Sequence, residues 1–147
     1  MELLLWRHAD TEQGYPDAGR RLTARGSEQA GATARWLSER LPKTYRLIAS
    51  PAARAQQTAG ALYEGRIETE PLVGMGASAA DILKAAGWGH DSGTVVIVGH
   101  QPTLGQAAAL RLSGTPAEWQ IKKSAVWWFS ERSGEVRLRA VFDPKLA

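Results

Sequence analysis

Short apolar runs alternate with longer amphipathic stretches along the first two thirds of the chain. The runs at residues 3–6, 45–49 and 94–98 have the length and composition of strands that are covered on both faces. The run at 94–98 (Thr-Val-Val-Ile-Val) is rich in β-branched residues and is the clearest strand signal of the three. A weaker run at 66–70 predicts an edge strand.

Four helices are predicted around these strands, at residues 24–41, 52–63, 77–86 and 102–112. Thr23 is suited to cap the first helix. Ser50 at the N-cap with Pro51 at the first helical position is a start signal for the second helix, which Gly65 would end. His90 falls in a Gly-rich stretch that predicts an exposed loop.

The last third of the chain changes character. Two strand-like runs at residues 125–130 and 136–142 enclose a turn signal and predict a hairpin. Trp127 and Trp128 would place aromatic rings on both of its faces, and we favour packing within the protein over a role in covering a substrate groove or a partner surface. The whole pattern predicts an α/β three-layer sandwich with a mostly parallel central sheet and an antiparallel C-terminal hairpin at the edge.

Composition narrows the class of protein. The 147 residues suit one domain, residues 1–147, and the absence of cysteine excludes disulfides, thiolate metal sites and cysteine nucleophiles. No leader-like segment or membrane-spanning run is present, so we expect a soluble, cytoplasmic protein, with a monomer as the default. The net charge of +3 is scattered rather than clustered, which indicates no nucleic-acid partner.

Histidine and arginine residues, which are suited to catalysis and to anion binding, follow three of the predicted strands. Two strands end in histidine, in Arg7-His8 and in Gly99-His100, and a third leads into a helix whose first turn holds Arg54. The carboxyl ends of parallel strands meet at one edge of a sheet, so these side chains should converge. One histidine at a strand end is more often a loop or capping residue, but two histidines and two arginines at equivalent positions favour a shared site.

Such a group suits phosphoryl transfer. Arginine forks and a helix N-terminus match phosphoryl oxygens, and a neutral imidazole nitrogen can attack phosphorus. The second histidine can stabilise charge in the transition state. Zinc is the rival explanation for paired histidines, but neither histidine has a third compact ligand nearby and the arginines would repel a cation. We therefore predict no metal and no cofactor.

The sequence resembles the histidine phosphatase superfamily, whose fold is the phosphoglycerate mutase-like fold. The motifs that carry the resemblance are Arg-His-Ala at 7–9, where the family has Arg-His-Gly, Ser-Pro-Ala-Ala-Arg-Ala-Gln-Gln-Thr at 50–58, and Gly-His at 99–100. Within the superfamily it is most similar to the small SixA-type phosphohistidine phosphatases, through Arg-Leu-Thr-Ala-Arg-Gly at 21–26 and Val-Gly-His-Gln-Pro at 98–102.

This resemblance implies a role for each matching residue. His8 would be the nucleophile, and the other implied members of the phosphate pocket are Arg7, Arg54 and His100. Further implied substrate contacts, in the loop that follows His8, are Asp10, Gln13 and Arg21. Ala9 departs from the usual glycine, which should constrain the turn without abolishing the site.

A proton donor for the leaving group is harder to assign. Larger relatives are expected to use a carboxylate from an inserted segment that is short here, which leaves Asp81 and Asp10 as candidates. Asp81 faces either the rim of the site or solvent, and solvent is slightly favoured. The imidazole of a phosphohistidine substrate departs readily once its ring is protonated, so such a substrate needs no strong general acid. Because neither aspartate is a strong candidate for that role, a phosphoramidate is favoured over a sugar phosphate as the substrate.

The leading hypothesis is therefore a metal-independent phosphatase that acts through a phosphohistidine at His8. Its expected partner is a protein bearing phosphohistidine. The alternatives are a phosphatase for a small sugar or nucleotide phosphate, and a non-enzymatic module that binds phosphate or nucleic acid.

Overall fold

The computed structural model describes residues 1–63, 66–88 and 92–147. The strands are β1 (Glu2–Arg7), β2 (Arg46–Ala49), β3 (Glu68–Thr69), β4 (Thr94–Gly99), β5 (Val126–Arg132) and β6 (Glu135–Phe142). The helices are α1 (Ala24–Ser38), α2 (Ala53–Leu62), α3 (Ala79–Ala86) and α4 (Thr103–Ser113). Gly65, predicted to end α2, and His90, predicted to lie in a loop, are outside the described residues.

One six-stranded sheet has the order β3-β2-β4-β1-β5-β6. The first four strands of this order are parallel, whereas β5 runs antiparallel to β1 and β6 antiparallel to β5. Arg7 of β1 lies opposite Gly99 of β4, so the residues that follow them emerge side by side. The predicted mostly parallel sheet with an antiparallel hairpin at its edge is confirmed.

Helices cover both faces of the sheet, and strand alternation divides the core between them. Leu4 and Trp6 of β1 belong to a buried cluster that also contains Leu37 of α1 and Ala55 and Ala59 of α2. The neighbouring leucines of β1 point the opposite way, into a cluster with Ile82 of α3 and Leu104 and Ala108 of α4. The three-layer α/β architecture is therefore as predicted.

The C-terminal hairpin turns at Ser133 and Gly134, both with positive φ (53° and 81°), as a tight hairpin turn requires. Trp128 is buried and packs edge-on against Trp36 at 6.1 Å between ring centroids. Trp127, on the opposite face, lies 6.0 Å from Trp119. Both indoles therefore pack against other tryptophans.

Two helix starts differ from the prediction. The helix α2 begins at Ala53 with Ala52 as its N-cap, which makes no side-chain cap, so the prediction of Ser50 as the cap was wrong. The Ser50 hydroxyl instead faces His100. The helix α3 begins at Ala79, where Ser78 caps it. Across the described ranges, no helix combines the length and apolar character needed to cross a bilayer.

Candidate active site

The two histidines meet at the carboxyl edge of the parallel sheet. The backbone N–H of His8 donates to the carbonyl of Gly99 (3.0 Å), which continues the β1–β4 ladder by one residue. The ring centroids of His8 and His100 are 5.2 Å apart. Arg54 lies in the first turn of α2, after the strand on the other side of β4. Arg54 and Arg7 both exert an electrostatic influence on both imidazoles.

The His8 ring has a defined tautomer. Its Nδ1 lies 2.8 Å from the carbonyl oxygen of Ala9. A carbonyl only accepts, so Nδ1 carries the proton and Nε2 keeps its lone pair. Within the described residues, Nε2 has no hydrogen-bond partner. Burial lowers the pKa of His8 to about 3, against the opposing effect of the Ala9 hydrogen bond. The electrostatic effects of His100, Arg54 and Arg7 act in the same direction as burial.

His100 is held by a residue at the end of β2. Its Nε2 lies 2.8 Å from the Ser50 hydroxyl oxygen, which also accepts the backbone N–H of Ala52. Burial and then the charge of Arg54 lower the pKa of His100 to about 4, while Asp17 acts in the opposite direction. Both imidazoles are therefore neutral near pH 7.

Thr58 joins the two halves of the site. Its hydroxyl donates to the carbonyl of Arg54 (2.8 Å) and accepts the backbone N–H of Ala9 (3.0 Å). Thr58 is fully buried on the helix that carries Arg54, one turn after it. This single hydroxyl thus fixes the turn after His8 against α2.

Arg54 is paired with a residue that the sequence had not suggested, Asp17. One Arg54 Nη donates to the Asp17 backbone carbonyl (2.8 Å) and the other lies 3.2 Å from its carboxylate. Arg54 is buried, whereas the Asp17 side chain is 54% exposed. Hydrogen bonds from Arg20 and then Arg54 hold the pKa of the Asp17 carboxyl below its usual value. The backbone carbonyl and the carboxylate of Asp17 therefore share the donor fork that a phosphoryl group would need.

Arg7, the last residue of β1, directly precedes His8. Its Nη1 donates to the carbonyl of Ile121 (3.1 Å), and its Nε is buried without a hydrogen-bond partner among the described residues. Burial lowers the pKa of Arg7 from its ordinary value. Arginine nevertheless stays charged in proteins, so Arg7 contributes a fixed positive charge to the site.

The candidate proton donors have other partners. Asp10 accepts from Lys123 (2.7 Å) and from the Thr23 hydroxyl (2.8 Å), and these two bonds, Lys123 first, lower the pKa of its carboxyl. A carboxylate held ionised by a lysine is poorly suited to donate a proton. Asp81 completes the capping box of α3 with Ser78. Neither carboxylate contacts His8 or His100.

Gln13 and Arg21 lie in the exposed loop after His8. Both line a shallow surface depression of about 210 Å³ together with Tyr15 and Pro16. The structure shows no contact between their side chains and the histidines or Arg54. The adjacent Arg20 instead reaches the site, through Asp17. In residues 1–63, 66–88 and 92–147, no three or more His, Asp or Glu side chains form a metal-binding group.

Comparison with known proteins identifies the family. The model of the histidine phosphatase superfamily (branch 1) matches residues 3–75, which include Arg7, His8 and Arg54. An uncharacterized protein from Picosynechococcus sp. is 31% identical, over 99% of this chain and 93% of the relative. The chain belongs to the histidine phosphatase superfamily.

Solved structures share the fold of this chain. The protein histidine phosphatase SixA complexed with tungstate gives a TM-score of 0.85 at 22% identity, over 99% of each chain. A phosphoserine phosphatase mutant from Entamoeba histolytica, in complex with phosphoserine, gives a TM-score of 0.73 at 18% identity, over 95% of each chain. The predicted phosphoglycerate mutase-like, SixA-type fold is confirmed, and structures with this fold include phosphatases named for different substrates.

Proposed function

We propose that this protein removes phosphoryl groups in two steps, through a phosphohistidine intermediate at His8. The observation that carries the proposal is the neutral His8 ring, whose protonated Nδ1 donates to Ala9 and whose Nε2 lone pair is free beside His100 and two arginines. In the first step Nε2 attacks phosphorus, the N–P bond forms, and the bond to the leaving group breaks with its electron pair.

The second step returns the enzyme to its starting state. Water attacks phosphorus, the N–P bond breaks, and its electron pair returns to Nε2 of His8 while inorganic phosphate is released. Arg7 and Arg54 would balance the charge on the equatorial oxygens in both steps, and His100 would contact one of them. Arg54 must exchange the Asp17 carboxylate for the phosphoryl group, which the exposure of Asp17 permits. Every step uses only the chain, substrate and water, so no metal or cofactor is required.

We propose phosphohistidine on a protein as the substrate. A protonated imidazole departs without a strong acid, and neither Asp10 nor Asp81 contacts the histidines. The similarity in fold to a protein histidine phosphatase supports this choice. A small phosphate monoester is the second candidate, because a phosphoserine phosphatase shares the fold at 18% identity.

Turnover of p-nitrophenyl phosphate tests the general proposal. The purified protein should hydrolyse it equally well with and without a chelator, and His8→Ala should abolish turnover while the urea unfolding midpoint shows a folded protein. Unaltered turnover in His8→Ala would refute the phosphohistidine intermediate, and loss of turnover in chelator would refute metal independence.

A direct comparison of substrates tests the finer proposal. Equal concentrations of a protein carrying phosphohistidine and of phosphoserine would be compared by kcat/KM for phosphate release. We expect the larger value for the phosphorylated protein. A larger value for phosphoserine would favour the small-molecule alternative.

A further inference from the structure

A small basic cavity is lined by Arg7, the residue before His8, and Arg54 does not line it. Its volume is about 270 Å³, enough for a carboxylate or phosphate group and slightly below the range of sites for whole small molecules. Its charged lining residues are Arg7, Arg25, Lys122, Lys123, Lys145, Asp10 and Asp143. Five basic and two acidic residues leave a net charge of +3, equal to that of the whole chain.

Both carboxylates of this basic cavity accept hydrogen bonds from within the protein. Asp10 is bound by Lys123 and Thr23, and Asp143 accepts the backbone N–H of Lys145 (2.9 Å). Among the described residues, no acidic side chain forms a salt bridge with Arg25, Lys122 or Lys145, all of which are exposed. The basic cavity therefore keeps cations that are free to bind an anion from outside.

The loop that carries the two adjacent lysines is fastened to the proposed nucleophile. The backbone N–H of Ser124 donates to the carbonyls of both Arg7 (3.0 Å) and His8 (3.2 Å). Its hydroxyl oxygen accepts the indole N–H of Trp6 (3.2 Å), and its carbonyl accepts the hydroxyl of Thr33 (2.7 Å). Ser124 also has a φ of 58°, which non-glycine residues seldom adopt unless the surroundings hold them there. The basic cavity is thus positioned rigidly relative to His8.

We propose that the basic cavity binds a second anionic group of the substrate, a carboxylate in an acidic protein segment that flanks the phosphorylated residue. This inference rests on the proposed function, since it takes the phosphoryl group to lie at His8. Arg7 lines the cavity and lies beside His8, so a substrate carrying both groups would contact it from two sides. A cluster of cations on a loop whose backbone is fixed attracts acidic segments and selects for acidic partners.

Binding to a protein that cannot turn over tests this inference. In a His8→Ala background, calorimetry would compare a phosphohistidine peptide flanked by glutamates with the same peptide flanked by glutamines. One exposed ion pair contributes at most about fivefold in affinity. Because several cations line the cavity, we expect the glutamate peptide to bind at least about fivefold more tightly than the glutamine peptide at low salt. The combined change Arg25→Gln, Lys122→Gln and Lys145→Gln, which removes the three cations that have no salt bridge in the described part of the chain, should remove that preference. Lys84→Gln, an exposed lysine on α3 that does not line the cavity, is the matched control and should preserve it.

Equal affinities for the two peptides, or a preference that survives the triple substitution, would overturn the inference. A small-molecule source of the carboxylate is tested by comparing phosphoglycerate with glycerol phosphate. If only this pair shows the charge-dependent preference, the protein-segment assignment fails. The calorimetry does not depend on turnover, so a protein that binds selectively but hydrolyses nothing would overturn the proposed function and leave the basic cavity as a binding site.

Discussion

Acidification should destabilise the folded protein through His8 and His100, and His8→Gln should remove half of this effect. The ordinary imidazole pKa is 6.5, and burial lowers it to about 3 for His8 and about 4 for His100. Between these values the unfolded chain binds protons that the folded chain rejects, so the free energy of unfolding falls as pH falls. The stability that depends on neutral histidines is fully present above about pH 7 and is lost progressively as the pH falls below that value.

The size of the effect at a given pH follows from how far that pH lies below the ordinary imidazole pKa of 6.5, as long as it stays above the folded-state values. At about pH 5, each histidine is protonated in the unfolded chain and neutral in the folded one, which costs about 2 kcal/mol per histidine relative to about pH 7.5. Two histidines together would cost about 4 kcal/mol, a large part of the stability of an ordinary domain. Glutamine suits the replacement because its side chain is polar, is close to that of histidine in length and does not titrate in this pH range.

Urea unfolding at the two pH values, for the native protein and His8→Gln, provides the assay. The native protein should lose about 2 kcal/mol more than the variant between the two conditions. Carboxyl groups with lowered pKa, such as Asp17 and Glu68, also lose stabilising contacts in acid, but they do so in both proteins and cancel in the difference. Equal losses in the two proteins would show that His8 is not held neutral by the fold.

Three further substitutions test separate parts of the site. Thr58→Val leaves the buried Ala9 N–H unpaired and should cost roughly 1–3 kcal/mol of stability together with activity. Thr58→Ser keeps both hydrogen bonds and should retain most of the activity. Equal activities of the two variants would contradict the role of the hydroxyl. Asp17→Asn should lower the inhibition constant of inorganic phosphate, because it removes the negative charge that competes with phosphate for one Nη of Arg54. Glu12→Gln in the same loop should leave that constant unchanged. Weaker inhibition by phosphate in Asp17→Asn would mean that Asp17 positions Arg54 for phosphate. Gly26→Ala places a Cβ 2.1 Å from the Asp10 carbonyl oxygen and should lower the free energy of unfolding by at least about 1 kcal/mol. In Gly31→Ala the new Cβ meets only the end of the Arg35 side chain, at 3.6 Å, so this variant should be as stable as the native protein or more stable. Equal effects of the two substitutions would contradict this packing.

Sequence periodicity located the main elements because strands and helices bury apolar residues at regular intervals. It placed Arg7, His8 and His100 correctly for the same reason: two adjacent parallel strands end in register, Arg7 opposite Gly99. The cap at Thr23 was also predictable, since it depends on residues within one turn.

Tertiary contacts decided what the sequence did not show. Ser50-Pro51 has the local signature of a helix start, but the Ser50 hydroxyl faces His100, which is 50 residues away in the chain. Asp17 gave no signal because its partner Arg54 is on another element, and only the path of the loop brings them together. A buried arginine does require an acceptor when no substrate is bound, and that requirement could have directed attention to an acid in the loop after His8.

Trapping the phosphorylated enzyme tests the central claim most directly. The protein would be mixed with a phosphohistidine-bearing protein, quenched in alkali within a turnover, digested, and searched by mass spectrometry for a phosphorylated peptide. We predict one acid-labile phosphoryl group on His8 that is absent from His8→Ala and disappears as inorganic phosphate is released. Turnover without a phosphorylated His8, or a stable phosphoryl group on another residue, would contradict the proposed mechanism.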